Sequence, residues 1–134
     1  MALQFSTAVR NAMLDAIETA TGPGAKLRLY SGAAPANPAA AATGTMLVGM
    51  ALPADWMASA SGGSKALSGT WQATGAAAGT VGHYRIVDNA GTTCHEQGSV
   101  TATGGGGDLT LDNTSIAAGQ TVTITSKTLT APNA

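Results

Sequence analysis

The sequence predicts an all-β fold: an antiparallel jelly-roll-like sandwich or barrel carrying one N-terminal α-helix. Three observations point there. Only one stretch, near the start, repeats its apolar residues at the helical period, and beyond it the period falls to two. Seven or eight short runs of that kind then recur at intervals of roughly ten residues, the spacing of a sandwich or barrel. No helices separate them, so the long crossovers that a parallel α/β sheet requires have no counterpart. With 134 residues and no break in composition, one domain is expected over 1–134, with the helix at 5–21 and the β module at 26–131.

The helix is read from "STAVRNAMLDAIETATG". Val9, Ala12, Met13, Ala16, Ile17 and Ala20 form an apolar stripe, expected to cover the open end of the sheet core or to dock on a partner. Ser6 or Thr7 can cap its start, and Gly22, Pro23 and Gly24 end it. "KLRLYS" alternates Leu27 and Leu29 with Lys26, Arg28 and Tyr30, a half-buried strand. Residues 32–44, "GAAPANPAAAATG", hold two prolines and almost no large side chain, so a surface loop or arm is expected.

"TMLVGMALP" reads as a strand ended by Pro53. "ADWMASASGG" reads as a short turn of helix that turns Trp56 inward, and "KALSGTWQATG" as a strand anchored by Leu67 and Trp71. "TVGHYRIVD" and "TTCHEQGSVT" flank Asp88, Asn89, Ala90 and Gly91, the clearest hairpin signal in the chain. A three-residue loop there sets Asp88 opposite Thr92 and Arg85 opposite His95. Tyr84, Ile86, Cys94 and Val100 then share one face, and His83, Arg85, His95 and Gln97 the other; a one-residue slip sets His83 opposite Glu96. "DLTLD" and "QTVTITSKTLT" complete the module, the latter alternating Val122 and Ile124 with threonines.

Only 10% of the residues are charged, against about a quarter in an ordinary soluble domain. The surface must be built from Thr, Ser, Asn, Gln, Gly and Ala, which are cheaper to desolvate than lysines and glutamates and so suit protein contacts. A formal charge of −1 without a basic run argues against nucleic acid as a partner. No run nears the ~18 apolar residues of a membrane span, and residues 1 to 6 lack a signal-peptide pattern, so no membrane partner and cytoplasmic synthesis are expected. Cys94 is the one cysteine, which precludes an intrachain disulfide.

The run "TATGGGGDLTLDN" invites a phosphate reading, but a Walker loop ends in Gly-Lys-Ser/Thr and opens a helix. Here Gly107 leads into Asp108 and a strand, so the run reads as a hairpin or corner. A cupin-like metal site from His83, His95 and Glu96 lacks the His-x-His pair of such sites. Cys94 and His95 are adjacent strand residues on opposite faces and cannot share a proton directly. Asp108 and Asp112 stand about 13 Å apart at ~3.3 Å per residue, too far for a glycosidase pair. Asn113-Thr114-Ser115 matches a glycosylation sequon, which matters only on a secretory route. No catalytic constellation and no cofactor or metal are therefore expected.

Across nearly the whole chain, "FSTAVRNAMLDAIETATG", "KLRLYSGAAPANP", "LPADWM", "HYRIVD", "GTTCHEQGSVTATGGGGDLTLDN" and "GQTVTITSKTLTA" resemble small virion proteins of tailed bacteriophages. The resemblance is strongest to capsid cement (decoration) proteins. It implies a non-enzymatic module that binds the outside of the coat lattice and staples capsomers, with the major capsid protein and further copies of itself, as dimer or trimer, for partners. A tail, baseplate or fibre component with a receptor- or carbohydrate-binding sandwich is the alternative, and a cupin-like metal enzyme a remote one. Exposure selects the candidate contacts: Arg10 on the exposed stripe of the helix, Pro35, Asn37 and Pro38 on an arm able to reach a neighbour, and Asn89 at the hairpin tip.

Overall fold

A computed structural model describes residues 3–131. The outermost residues of the expected single-domain span, 1, 2 and 132–134, lie outside the described residues. The fold is all-β with one helix, as the sequence predicts. The elements are α1 (Thr7–Thr21), β1 (Lys26–Ser31), β2 (Met46–Ala51), β3 (Ser64–Ala66), β4 (Trp71–Thr74), β5 (Gly79–Val87), β6 (Cys94–Ala102), β7 (Leu109–Leu111), β8 (Ser115–Ile116), β9 (Thr121–Ile124) and β10 (Thr128–Thr130).

One sheet curls into a half-barrel in the order β2-β1-β5-β6-β7, and β8 adds to the start of β5. Two antiparallel pairs, β4 with β9 and β3 with β10, close over its concave side. Leu27 and Leu29 of β1, Val48 and Met50 of β2, and Tyr84 and Ile86 of β5 meet Trp56, Trp71, Val122 and Ile124 in the core. The two-residue alternation thus buries the side chains that the sequence marks as inward.

The strands number ten among the described residues, because two of the seven expected runs are each divided and the short β8, which no expected run covers, is added. "KALSGTWQATG" breaks at Ser68 and Gly69 into β3 and β4, and "QTVTITSKTLT" at residues 125–127 into β9 and β10. The expected helical turn at "ADWM" is instead a bend at Ala54 and Asp55, after which Met57 is bridged to Leu67 and Trp56 is fully buried. Its indole N–H donates to Gly22 O at 3.1 Å, which ties this segment to the end of α1.

The sheet is mixed, because β6 and β7 run parallel, pairing Val100 with Leu109 and Ala102 with Leu111. A parallel pair ordinarily needs a crossover of a dozen or more residues; here the glycine run does it in six, residues 103–108. Gly104 and Gly106 take φ of 88° and 80°, a region costly for other residues. Thr101 Oγ1 accepts the Gly107 N–H at 2.9 Å, drawing the loop back onto β6. The run is therefore a corner, not a hairpin.

The 88–93 hairpin departs from the expected register. Asp88 N–H bonds Thr93 O at 3.0 Å, and the Asp88 carboxylate accepts from Thr92 N at 2.9 Å, so the loop is one residue longer. A bulge then follows between Val87↔Cys94 and Ile86↔Glu96. Together they shift the pairing by two, setting Arg85 opposite Gln97 and His83 opposite Ser99 instead of His95 or Glu96. An even shift preserves the faces, so His83, Arg85 and Gln97 still lie together. The exception is Cys94, which the bulge moves to the side of Val87.

Candidate functional site

Helix α1 is turned the opposite way from its apolar stripe. Ser6 caps it, accepting the Val9 N–H at 3.2 Å, and Gly22 ends it at φ 91°. The residues facing the β body are Arg10, Asn11, Leu14, Asp15, Glu18 and Thr21, themselves spaced by three and four. Only Leu14 and Thr21 of the helix are fully buried. Val9 is 44% and Met13 41% exposed, and Ala12, Ala16 and Ala20 share that outward side, whereas Ile17 of the same stripe is half-buried.

The inversion has a cause in hydrogen bonding. The segment 57–63 presents backbone N–H groups toward the helix, and an unpaired buried donor is costly. Glu18 accepts from Met57 N at 3.1 Å, Asp15 from Ala60 N at 2.9 Å and Asn11 from Gly63 N at 2.9 Å. The three acceptors descend the helix as the three donors ascend the segment. Lys65, almost fully buried, joins Asp15 at 2.7 Å and Glu18 at 3.0 Å. Burial alone would lower the Lys65 pKa, but the two carboxylates outweigh it and hold it above the ordinary value. The hydrogen bonds from Lys65 and from Ala60 hold Asp15 below the usual carboxylate range.

Residues 32–44 form a loop that folds back over the convex face of the sheet. Its carbonyls are taken by side chains that rise from β5 and β6. Arg85 Nη2 donates to Pro38 O at 2.7 Å and Ala40 O at 2.9 Å, and Gln97 Nε2 to Pro35 O at 2.8 Å. His83 Nδ1 lies 2.9 Å from Gly32 O, and its ring stacks on Tyr30 at 5.2 Å. Asn37 caps a turn within the loop, accepting the Ala40 N–H at 3.0 Å. Of the loop or arm expected, the structure shows a surface loop whose carbonyls satisfy buried donors of its own sheet.

Beside this loop runs a groove of about 810 Å3. Residues 37–42 make one wall, Gly91 to Cys94 the other, and Arg28, Arg85 and Val87 lie between them. Of the residues singled out by exposure, Asn37 and Pro38 line it. Pro35 is half-buried. Asn89 is exposed at the hairpin, with its side-chain amide on Gly24 O at 3.0 Å. Arg10 corrects the expectation of an exposed stripe, since it turns inward and donates to Ala131 O at 3.0 and 3.3 Å.

The residues weighed for chemistry do not converge. His83 is fully buried under the loop, His95 is exposed, and Glu96 points to the concave face. There Glu96 holds Lys127 at 2.7 Å and accepts from the Tyr84 hydroxyl at 2.6 Å. Burial first, then the Glu96 charge, raises the Tyr84 pKa far above its ordinary value, so the phenol stays neutral. Cys94 Sγ donates to Glu96 O at 3.2 Å. Asp108 bonds Ser99 through its backbone N–H and hydroxyl, which lower its pKa. Among the described residues no helix is long and apolar enough to cross a membrane.

Lys65, Lys127 and the inward side of α1 escape sequence reading, because a lone lysine in a Thr/Ser-rich run looks like a solvated one. Arg28 and Arg85 stand 57 positions apart in sequence, and only the β1/β5 register, which sets them directly opposite, makes them neighbours. No family model matches the chain, and no curated protein or solved structure matches it.

Proposed function

We propose that this chain is a non-enzymatic structural protein of a bacteriophage virion, which binds the outer surface of the coat lattice and staples neighbouring capsomers. The observation that carries the reading is the outward apolar face of α1. A helix fixed to its own domain through polar side chains leaves Val9, Ala12, Met13 and Ala16 as a preformed contact stripe. Exposed apolar stripes of this kind mark protein interaction sites. The sparse charge of the chain lowers the desolvation penalty around it.

A carbohydrate-binding tail or fibre module needs aromatic platforms at its surface. Trp56 and Trp71 are fully buried and Tyr30 and Tyr84 nearly so, which leaves Phe5, 39% exposed, as the one surface aromatic among the described residues and favours the coat-binding reading over that one. A cement protein that binds only the assembled shell stabilises it by mass action.

The test is co-expression with the major capsid protein of the same virion, followed by a heat challenge of the purified shells. Wild-type chain co-purifies with shells and raises their disruption temperature. The Val9→Gln/Met13→Gln double variant, folded but polar on that face, binds at least about tenfold more weakly. Equal binding by the variant removes α1 from the mechanism, and no binding by wild type refutes the function.

A further inference from the structure

We propose that the groove between the 32–44 loop and the 88–93 hairpin binds a carboxylate presented on a peptide segment of a partner protein, with Arg28 and Arg85 as its receptors. Three cations are buried among the described residues: Lys65, Lys127 and Arg85. Both lysines hold carboxylates. Arg85, only 4% exposed, holds none; two backbone carbonyls take its Nη2, and its Nη1 is buried without a hydrogen-bond partner.

Arg28 sharpens the imbalance. It lies directly opposite Arg85 across the β1/β5 ladder, where like charges destabilise a sheet. Its one hydrogen bond is a long one, 3.4 Å from Nη1 to Gly91 O. Gly91, at φ 75°, admits it: a Cβ there would stand 2.6 Å from Arg28 Nη2. Two guanidinium groups therefore flank one groove whose walls carry no acidic side chain. An anion between them relieves their repulsion and meets the unpartnered N–H groups with charge-assisted bonds.

The rest of the groove selects the kind of anion. Pro38, Val87 and the alanines at 39–42 give it an apolar wall, which matches the aliphatic stem of an Asp or Glu or a short peptide. A phosphate dianion has more oxygens than the single free edge of Arg85 and the partly engaged Arg28 can satisfy. The loop carbonyls at Pro38 and Ala40 already hold Arg85 in place, so the receptor is preorganised.

This site is separate from α1 and is tested on the free chain, so its failure leaves the coat-binding reading untouched. The experiment is an NMR titration of the full chain with four probes: the blocked peptide Ac-Ala-Glu-Ala-amide, its Gln counterpart, sodium acetate and inorganic phosphate. The Glu peptide should shift the amide resonances of Ala40, Ala41, Gly91 and Thr92 saturably, with acetate weaker at the same residues and the Gln peptide inert. Arg28→Gln, at a half-buried site whose loss leaves the loop carbonyls bonded, should weaken the Glu peptide about tenfold. Arg85→Gln should abolish binding if it folds. Overturning results are an absence of saturable shifts, shifts outside the groove, or equal affinity in Arg28→Gln. Tighter binding of phosphate rejects the carboxylate, and acetate as tight as the peptide rejects the peptide.

Discussion

Substitution of two adjacent residues of α1 separates the inverted helix from a conventional one. Leu14 is 4% exposed and Met13 41%. Leu14→Ala removes a buried side chain and leaves a cavity, a loss of about 2–5 kcal/mol. Alanine is the better helix former, so propensity cannot account for that loss. Met13→Gln keeps helix propensity nearly constant and alters a side chain that is largely in water, for less than about 1 kcal/mol. With about 2.1 cal/mol/K of unfolding entropy per residue, the 134-residue chain moves its Tm by about 3–4 °C per kcal/mol. Leu14→Ala should therefore melt about 7–18 °C below wild type, and Met13→Gln within about 4 °C of it. Urea titrations of both variants supply the free energies directly, with an unchanged slope as the check on two-state unfolding. Should Met13→Gln prove the more damaging, the apolar stripe faces the core and the inversion is wrong.

Two further outcomes follow from the same geometry. Asp15, Asp88 and Asp108 are each held below the ordinary carboxylate value of 3.8 by hydrogen bonds, so the unfolded chain takes up protons first as pH falls. Their contribution is complete above that value and is lost as pH drops through it and toward their folded values; urea midpoints should hold steady from neutrality to about pH 5 and decline below about 4. Replacing residues 33–43 by a short Gly/Ser linker strips the acceptors from Arg85 and Gln97, and the loss of three such bonds should destabilise the domain by roughly 2–5 kcal/mol. An unchanged urea midpoint after that replacement would show that the loop is a detachable arm after all.

The strand content was legible because the two-residue period has one physical meaning: side chains alternate, and the apolar set goes inside. Leu27, Leu29, Val122 and Ile124 obey it. The helix misleads because its sequence holds two stripes of the same period. Val9, Ala12, Met13 and Ala16 form one; Arg10, Asn11, Leu14, Asp15 and Glu18 form the other. Periodicity fixes that one side is buried, and hydrophobicity chooses the first. The second prevails because the 57–63 segment offers donors that only Asn11, Asp15 and Glu18 can satisfy. That choice depends on backbone groups some 45 residues away, a relation no local window contains. The same limit hid the hairpin register, where an extra loop residue and a bulge add to a shift of two that leaves the faces unchanged, and the arginine groove, which exists only once β1 lies against β5.

The size of the helical face decides what kind of partner it can hold. Even the whole outward side of α1, fifteen residues at 1.5 Å each, is a strip only about 22 Å long and roughly 10 Å wide. Such a stripe covers a few hundred Å2, whereas a stable interface needs about 800 Å2 from each partner. Two copies meeting only through α1 fall short of a lasting dimer. Stapling then depends on a lattice that supplies the remaining area and brings copies close, so that weak contacts act together through effective concentration. The free chain should accordingly sediment as a monomer at low micromolar concentration, and wild type and Val9→Gln/Met13→Gln should be alike there. A stable dimer that the double variant dissolves would instead make α1 a self-association surface, buried before any coat protein could reach it.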